Sequence, residues 1–300
     1  TAAHTNKRAR TGAGFPNGVK RMKDRPATRV ALLQLPIGAE DKFTGSVDLI
    51  EMNAIQFNED DKGIDPTVGE IPADMREDAE LYRDELLHIA ADFDDDVMEK
   101  LLMDEDVTAA ELKAAIRKGC IACGITPITC GASFKNKGVQ PLLDAILDYL
   151  PSPLDVPAII GIDTKTGEKV ERPADEKAPF AALAFKVMTD TFVGKLTYFR
   201  VYSGTLPAGS YVLNSTTDNR ERIGRLLQMH ANHREDIDEV RAGDIVAAVG
   251  LKNTTTGDTL CTEAAPVVLE SMVFPDPVID IAIEPKTKAE QDKLGGALVK

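Results

Sequence analysis

Hydrophobic and polar positions change their period several times along the chain, and each change predicts a different element. Residues 29–37 form a short run of mostly apolar side chains that is typical of a buried strand ending at Pro36 and Gly38. Apolar and polar side chains alternate over residues 43–57, which predicts two short strands on either side of Glu51 and Met52. Residues 58–72 have the composition of a loop or hairpin. From Asp74 to about Leu102, apolar residues recur at spacings of three and four, which predicts one amphipathic helical stripe.

The next segment predicts an α/β unit. Thr108 and Glu111 have capping-box spacing at the start of a helix that Gly119 would stop. A strand over residues 125–129 follows, and then a helix from about Gly138 to Leu150. The apolar positions expected to pack that helix are Leu142, Leu143, Ile146, Leu147 and Leu150. Loops at the carboxyl ends of strands in such units are where open parallel sheets bind ligands.

The second half of the sequence has another character. Residues 151–179 carry five prolines and few large apolar side chains, which indicates a linker. Residues 180–262 contain at least five strand-like runs separated by turns, which favours a compact antiparallel β-barrel. Residues 278–285 read as one more strand, and residues 286–300 begin a helix, so we expect a third domain to start there.

Composition restricts the class of protein. Hydrophobic residues make up 43% of the 300 positions and charged residues 28%, as in soluble globular proteins. No apolar run approaches the roughly 20 residues that span a bilayer, and four cysteines suggest a reducing, cytoplasmic setting. The net charge of -14 is concentrated in residues 38–111, which hold 24 acidic and 5 basic residues. Such a block is either an ordinary solvated surface or a docking face for a basic partner.

Several clusters of cysteine, histidine and acidic residues are expected to be ordinary parts of the fold and not metal-binding sites. Cys120 and Cys123 have half of a zinc-site pattern, but no second pair follows, so buried thiols are expected. His230 and His233 lack a third ligand, and we expect no metal site in the chain. The acidic run over residues 92–96 lacks the spacing of a calcium loop, and exposed helix surface is the simpler interpretation.

Two short motifs carry candidate chemistry when they are taken together. Asn6-Lys7 and Gly131-Ala132-Ser133 could form the two loops that recognise guanine. In an Asn-Lys-x-Asp loop, Asn reaches the purine, the Lys stem covers its face, and the Asp carboxylate accepts two hydrogen bonds from guanine. The Gly-Ala-Ser turn supplies a backbone N–H to the guanine O6. Each motif alone is more typical of a surface loop or a βα turn.

Longer stretches of the sequence resemble bacterial elongation factor G, a translational GTPase. This resemblance favours the guanine-binding interpretation of the two motifs. Residues 31–57 resemble the start of the subdomain inserted in its GTPase domain, and residues 129–157 resemble the end of that domain. Residues 222–261 resemble its second domain, a β-barrel, and residues 273–298 the entry to its third. The distinctive runs are ALLQLPIGAEDKFTGSVDLIEMNAIQF, TCGASFKNKGVQPLLDAILDYLPSPLDVP, RIGRLLQMHANHREDIDEV, AGDIVAAVGLKNTTTGDTLC and VFPDPVIDIAIEPKTKAEQDKLGGAL.

The resemblance implies a domain plan and a set of partners. Residues 1–37 and 120–157 would be the C-terminal part of a P-loop GTPase domain of α/β class, and residues 38–119 its inserted acidic α+β subdomain. A linker (158–178), an antiparallel β-barrel (179–265) and the start of a third α+β domain (275–300) would follow. The implied function is ribosome-dependent GTP hydrolysis coupled to translocation of tRNA and mRNA by a cytoplasmic monomer. The acidic helices would meet the ribosomal stalk protein, and Arg220, Arg222 and Arg225 would face ribosomal RNA.

The chain also departs from the family pattern. Arg8-Ala9 stand where the family has Met-Asp, and Ala9 cannot accept the guanine hydrogen bonds, each worth about 1.5–3 kcal/mol. Either guanine selectivity is weakened, or residues 8–29 contain a sequencing error. No phosphate loop and no magnesium-positioning Asp-x-x-Gly-His segment occurs in the sequence. We therefore expect an internal piece that binds GTP or GDP through Asn6, Lys7, Gly131, Ala132 and Ser133, contains no catalytic residue, and is inactive alone.

Two alternatives to the elongation factor remain open. The first is a ribosomal-protection GTPase of the same superfamily, which confers tetracycline resistance. The second is a non-catalytic module that binds the ribosome. The long inserted subdomain and the segment over residues 230–233 favour the elongation factor.

Overall fold

The computed structural model describes residues 2–6, 14–24, 29–58, 63–190, 193–231, 233–269, 279 and 282–298. The chain divides into two compact units between Asp155 and Val156. Among the helices of these described ranges, none is long and apolar enough to cross a membrane.

Over its described residues, the first unit combines a parallel sheet, an antiparallel sheet and five α-helices. Its helices are α1 (Phe15–Lys23), α2 (Arg76–Ala91), α3 (Asp95–Leu102), α4 (Ala109–Ile121) and α5 (Val139–Tyr149). Its strands are β1 (Ala3–Thr5), β2 (Arg29–Leu32), β3 (Gln34–Ile37), β4 (Gly45–Asp48), β5 (Asn53–Gln56), β6 (Thr67–Gly69) and β7 (Ile125–Cys130). The parallel sheet has the order β1-β7-β2, and the antiparallel sheet runs β3-β4-β5-β6. One apolar core joins them, with α1 and α2 on β2 and with α4 and α5 on β7.

The apolar run of residues 29–37 is two strands, so the prediction of a single strand was wrong. Leu33 is the junction. Its N–H donates to the Ile128 carbonyl in the parallel sheet, and its carbonyl accepts from the Leu49 N–H beside the antiparallel sheet. Pro36 does not stop the run, because it lies in β3, an edge strand that tolerates a missing N–H. The two strands predicted around Glu51 and Met52 are confirmed as β4 and β5.

The helical stripe is likewise broken into α2 and α3. Asp94 starts α3 as its N-cap, with its carboxylate accepting from the Asp96 and Val97 N–H groups at 3.2 and 3.3 Å and pairing with Lys118. The prediction of exposed helix surface is therefore wrong for Asp94, which is buried. Those contacts hold the pKa of Asp94 below its usual value, and the hydrogen bond from Lys118 is the largest cause.

Helix α4 begins as predicted and ends later. The Glu111 N–H donates to the Thr108 hydroxyl at 3.3 Å, and the Glu111 carboxylate accepts from the Thr108 N–H at 3.0 Å, which confirms the capping box. Gly119 lies inside the helix and does not stop it. A Cβ there would lie 2.3 Å from the Ile125 side chain, so its small size serves close helix–strand packing.

Helix α5 uses a narrower apolar face than the sequence suggested. Ala145 and Tyr149 are buried and Leu142 and Leu150 are half-buried, whereas Leu143, Ile146 and Leu147 are exposed. The prediction that all five apolar residues pack the helix was wrong for these three. The buried side follows the spacing of Leu142, Ala145 and Tyr149, which places them on one helical face.

The second unit is dominated by antiparallel strands. They are β8 (Ile159–Asp163), β9 (Lys169–Arg172), β10 (Ala181–Asp190), β11 (Gly194–Ser203), β12 (Thr205–Pro207), β13 (Tyr211–Asn214), β14 (Asn219–Arg222), β15 (Arg225–His230), β16 (His233–Ile237), β17 (Glu239–Arg241), β18 (Ile245–Val249), β19 (Thr259–Cys261) and β20 (Val267–Val268), with helix α6 (Lys288–Leu298). Eight strands form one sheet in the order β14-β13-β19-β10-β11-β18-β15-β16. Val212 near one end of this order and Leu226 near the other join the same core, so the sheet curves around it as the predicted barrel requires.

Outside the eight-stranded sheet, two expectations changed. The predicted linker contains a β-hairpin, β8–β9, which β20 extends to three strands. Of the strand expected over residues 278–285, residues 279 and 282–285 have no strand structure, and the rest lies outside the described residues. The helix expected after it is α6. The domain boundaries, including a third domain, stay predictions.

Candidate functional site

The two candidate motifs follow neighbouring parallel strands. β1 pairs with β7 in parallel register, with Thr5 opposite Cys130, so both strands end at the same edge of the sheet. Asn6 comes directly after β1, and Gly131 comes directly after β7. The Gly131 N–H donates to the Thr5 carbonyl at 3.1 Å, which extends the pairing one step into the loops.

A side-chain hydrogen bond then joins the two loops. The Asn6 Oδ1 accepts from the Ser133 backbone N–H at 3.0 Å, across 127 positions of sequence. The structure thus brings together Asn6, Gly131, Ala132 and Ser133. Lys7, with the neighbouring Arg8 and Ala9, lies outside the described residues.

Residues 131–138, which we call the base loop, have a tight backbone fold. The Ala132 N–H donates to the Lys137 carbonyl at 2.8 Å, and the Lys137 N–H returns a bond of 3.3 Å. Asn136 and Gly138 adopt left-handed backbone angles, with φ of 56° and 81°. A Cβ on Gly138 would lie 2.7 Å from the Cys130 carbonyl oxygen, so the loop closes only because this residue has no side chain.

Polar side chains support the strand ends beneath the loop. His4 Nδ1 lies 2.8 Å from the Thr129 hydroxyl, and the Gln34 side-chain oxygen accepts from the Cys130 N–H at 3.2 Å. Burial lowers the pKa of His4, which favours the neutral imidazole. Uncharged hydrogen bonds therefore hold this edge.

Sequence reasoning missed Phe134, which follows Ser133 and has a fully exposed side chain. Exposed aromatic rings beside polar loops are common stacking surfaces for bases. The amide side chain of Asn6 and the exposed ring of Phe134 are thus placed near the same loop, a combination that suits a planar base with polar atoms on its edge. The signal in the sequence was a large aromatic residue inside a turn, where a polar residue is the usual occupant.

The thiol and histidine predictions have mixed outcomes. Cys120 and Cys130 are buried, but Cys123 is exposed, so the prediction that Cys123 is a buried thiol was wrong. Burial raises the pKa of Cys120 to about 11, which disfavours its reactive thiolate. His230 and His233 face each other across the β15–β16 hairpin. Within the described ranges, no three His, Cys, Asp or Glu residues are placed together to hold a metal ion.

The three arginines proposed to face RNA separate into two places. The guanidinium groups of Arg220 and Arg222 lie 4.2 and 5.9 Å from the ring centre of Tyr211, on the exposed side of the β13–β14 pair. Arg220 also pairs with Glu263. Arg225 lies on β15, 3.7 Å from Asp236. Only the first two arginines therefore share one aromatic and basic patch.

Comparisons with known proteins agree with this architecture. Residues 194–261 match the family model of elongation factor Tu domain 2, and this stretch covers most of the eight-stranded sheet. A crystal structure of a protein from Thermus thermophilus has a similar fold over 99% of the chain, with a TM-score of 0.78 and 23% sequence identity. The chain spans 41% of that protein's length. The family match relates the curved sheet to translation elongation factors, and the structural match supports the fold of both units.

Proposed function

We propose that this chain is part of a translational GTPase of the elongation factor G type, in which the base loop and Asn6 bind the guanine base of GTP or GDP. The observation that carries the proposal is the Asn6–Ser133 hydrogen bond, because it joins two motifs that are uninformative when separate. The family match of the curved sheet supports a role in translation.

The proposed cellular role is translocation of tRNA and mRNA on the ribosome. The acidic subdomain of residues 38–119 would meet the ribosomal stalk protein, and the Tyr211, Arg220 and Arg222 patch would contact ribosomal RNA through phosphate charge and base stacking. The parent protein would work as a cytoplasmic monomer, hydrolyse GTP and require Mg²⁺, with the phosphate-binding and catalytic groups supplied from outside this sequence.

Restoring one carboxylate tests base recognition directly. Ala9→Asp gives the chain the acceptor that the family pattern places there, and two charge-assisted hydrogen bonds to guanine are worth about 1.5–3 kcal/mol each. We expect GDP affinity to rise at least roughly 10-fold, with ADP affinity unchanged, in a titration followed by NMR. Ala9→Asn is the matched control and should gain less. Equal gains for GDP and ADP would contradict guanine recognition.

A competition assay tests the role on the ribosome. An excess of the purified chain should inhibit translocation by intact elongation factor G, because both would occupy the same site. It should leave ribosome-bound tetracycline in place. Release of tetracycline would favour the ribosomal-protection alternative, and failure to sediment with ribosomes would contradict both proposals.

A further inference from the structure

The base loop contacts the predicted inserted subdomain as well as β1. Phe43 and Phe57, which flank β4 and β5, are buried and form a small apolar cluster with Ala132 of the loop. The two phenyl ring centres are 6.3 Å apart. Ala132 therefore packs against residues that are about 75 to 90 positions earlier in the sequence.

Lys137 makes the second contact. Its side chain is only 4% exposed, and its ammonium donates to the Phe43 carbonyl at 2.9 Å. Burying an ammonium group is costly unless it is hydrogen-bonded. The backbone of Lys137 pairs with Ala132 in both directions. One residue thus fixes the shape of the loop and attaches it to the start of the inserted sheet.

Gln140, just past the loop, makes the third contact. Its side-chain amide donates to the carbonyls of Gly63 and Ile64 at 2.8 and 3.0 Å. Gly63 also lies against the loop, since a Cβ on it would be 2.6 Å from the Asn136 carbonyl oxygen. Gly63 and Ile64, which precede β6, are therefore held to the base loop, as Phe43 is.

We infer that Lys137 and Gln140 are positioning residues through which the inserted subdomain sets how tightly the base loop holds guanine. The inference rests on the proposed function. Its physical basis is that Ser133, which donates to Asn6, and Lys137, which donates to Phe43, belong to one short hydrogen-bonded turn. A substitution that shifts the backbone of this turn at Lys137 also shifts it at Ser133, and the reverse holds as well. If the contact to Phe43 strengthens GDP binding, GDP binding must strengthen that contact by the same free energy.

Lys137→Met tests the inference, because methionine keeps a long apolar stem and removes the donor. We expect amide hydrogen exchange at Ala132 to become roughly 10-fold faster, as for loss of one hydrogen bond to a charged group. We also expect GDP affinity, measured by NMR titration, to fall roughly 5-fold. Gln140→Leu should act in the same direction and provides a second test if Lys137→Met does not fold. Lys20→Met, at an exposed position on α1 outside the base loop, is the matched control and should change neither quantity.

Reciprocity separates positioning from a structural role. In the wild-type chain, GDP should slow amide exchange at Phe43 and Gly63, and Lys137→Met should abolish that slowing. Faster loop exchange with unchanged GDP affinity would overturn the inference, as would GDP protection that survives the substitution. A wild-type chain that binds no GDP would contradict the proposed base site itself, and with it the positioning role.

Discussion

The two units present their candidate functional groups in different ways. In the first, Asn6 and Ser133 lie on loops past strand ends, and the Asn6 side chain accepts a hydrogen bond from the Ser133 backbone N–H. In the second, Tyr211, Arg220 and Arg222 project from paired strands of a regular sheet. A loop site depends on residues that permit an unusual backbone, whereas a sheet surface depends on the core behind it. Substitutions should therefore damage the two sites by different routes.

The largest effect should come from the glycine that closes the base loop. Gly138→Ala places a Cβ 2.7 Å from the Cys130 carbonyl oxygen at a φ of 81°, and strain plus steric overlap should cost about 2–4 kcal/mol of unfolding free energy. Urea denaturation measures it. Gly18→Ala is the control, because Gly18 lies in α1 with open space around it and should be neutral or stabilised by up to about 1 kcal/mol. Equal losses for the two variants would contradict this account.

In the second unit, the residue whose substitution should cost the most stability carries a buried carboxylate. Glu221 is 6% exposed and accepts hydrogen bonds from the Lys252 and Asn253 N–H groups and the Thr254 hydroxyl, at 2.6, 2.8 and 2.6 Å. Glu221→Ala leaves these donors without an acceptor and should cost about 2–3 kcal/mol in urea denaturation.

Glu263→Ala is the matched control for Glu221→Ala. Glu263 is exposed, and its ion pair with Arg220 lies on the surface, so its loss should cost less than about 1 kcal/mol. If the two substitutions cost the same, the carboxylate of Glu221 does not organise residues 252–254. Backbone hydrogen bonds, without a side-chain acceptor, would then account for the ordered loops of both units.

An intermediate effect is expected at the α4 capping box. Thr108→Ala should lower the unfolding free energy by about 1 kcal/mol, as for other N-cap losses.

Hydrogen bonds from Lys100 and then from Thr108 lower the pKa of Glu111 from 4.5 to about 2. The stabilisation from Glu111 is therefore complete above about pH 4.5 and is lost as the pH falls through about 2. Thermal unfolding between pH 2 and 6 should show a smaller pH dependence in Glu111→Gln, and an unchanged dependence would contradict this assignment.

Local patterns predicted the elements well and their partners poorly. The capping box at Thr108 and the alternation around Glu51 each depend on neighbouring residues, so both could be predicted. The split at Leu33 could not, because it depends on Ile128 and Leu49, which lie far away in sequence. Asp94 was misjudged for the same reason, since its partner Lys118 is on another helix.

The candidate site shows the same limit. Its residue types could be predicted from two short motifs, and parallel strands explain why those motifs meet at one edge. The roles of Lys137 and Gln140 could not be predicted, because their partners are backbone carbonyls. Every residue carries a backbone carbonyl, so the sequence does not indicate which carbonyl a side chain will contact. Only the folded structure shows it.

The smallest effect on stability is expected at Phe134. Its side chain is fully exposed, so Phe134→Ala should change the unfolding free energy by less than about 0.5 kcal/mol. If the ring stacks on a base, GDP affinity should nevertheless fall roughly 5-fold or more, since such stacking is worth about 1–3 kcal/mol. Leu147→Ala, at a largely exposed position on α5, is the control and should change neither quantity. A site held by backbone can thus lose binding without losing stability. If GDP affinity is unchanged in Phe134→Ala, the exposed ring serves another contact and the base is held by loop polar groups alone.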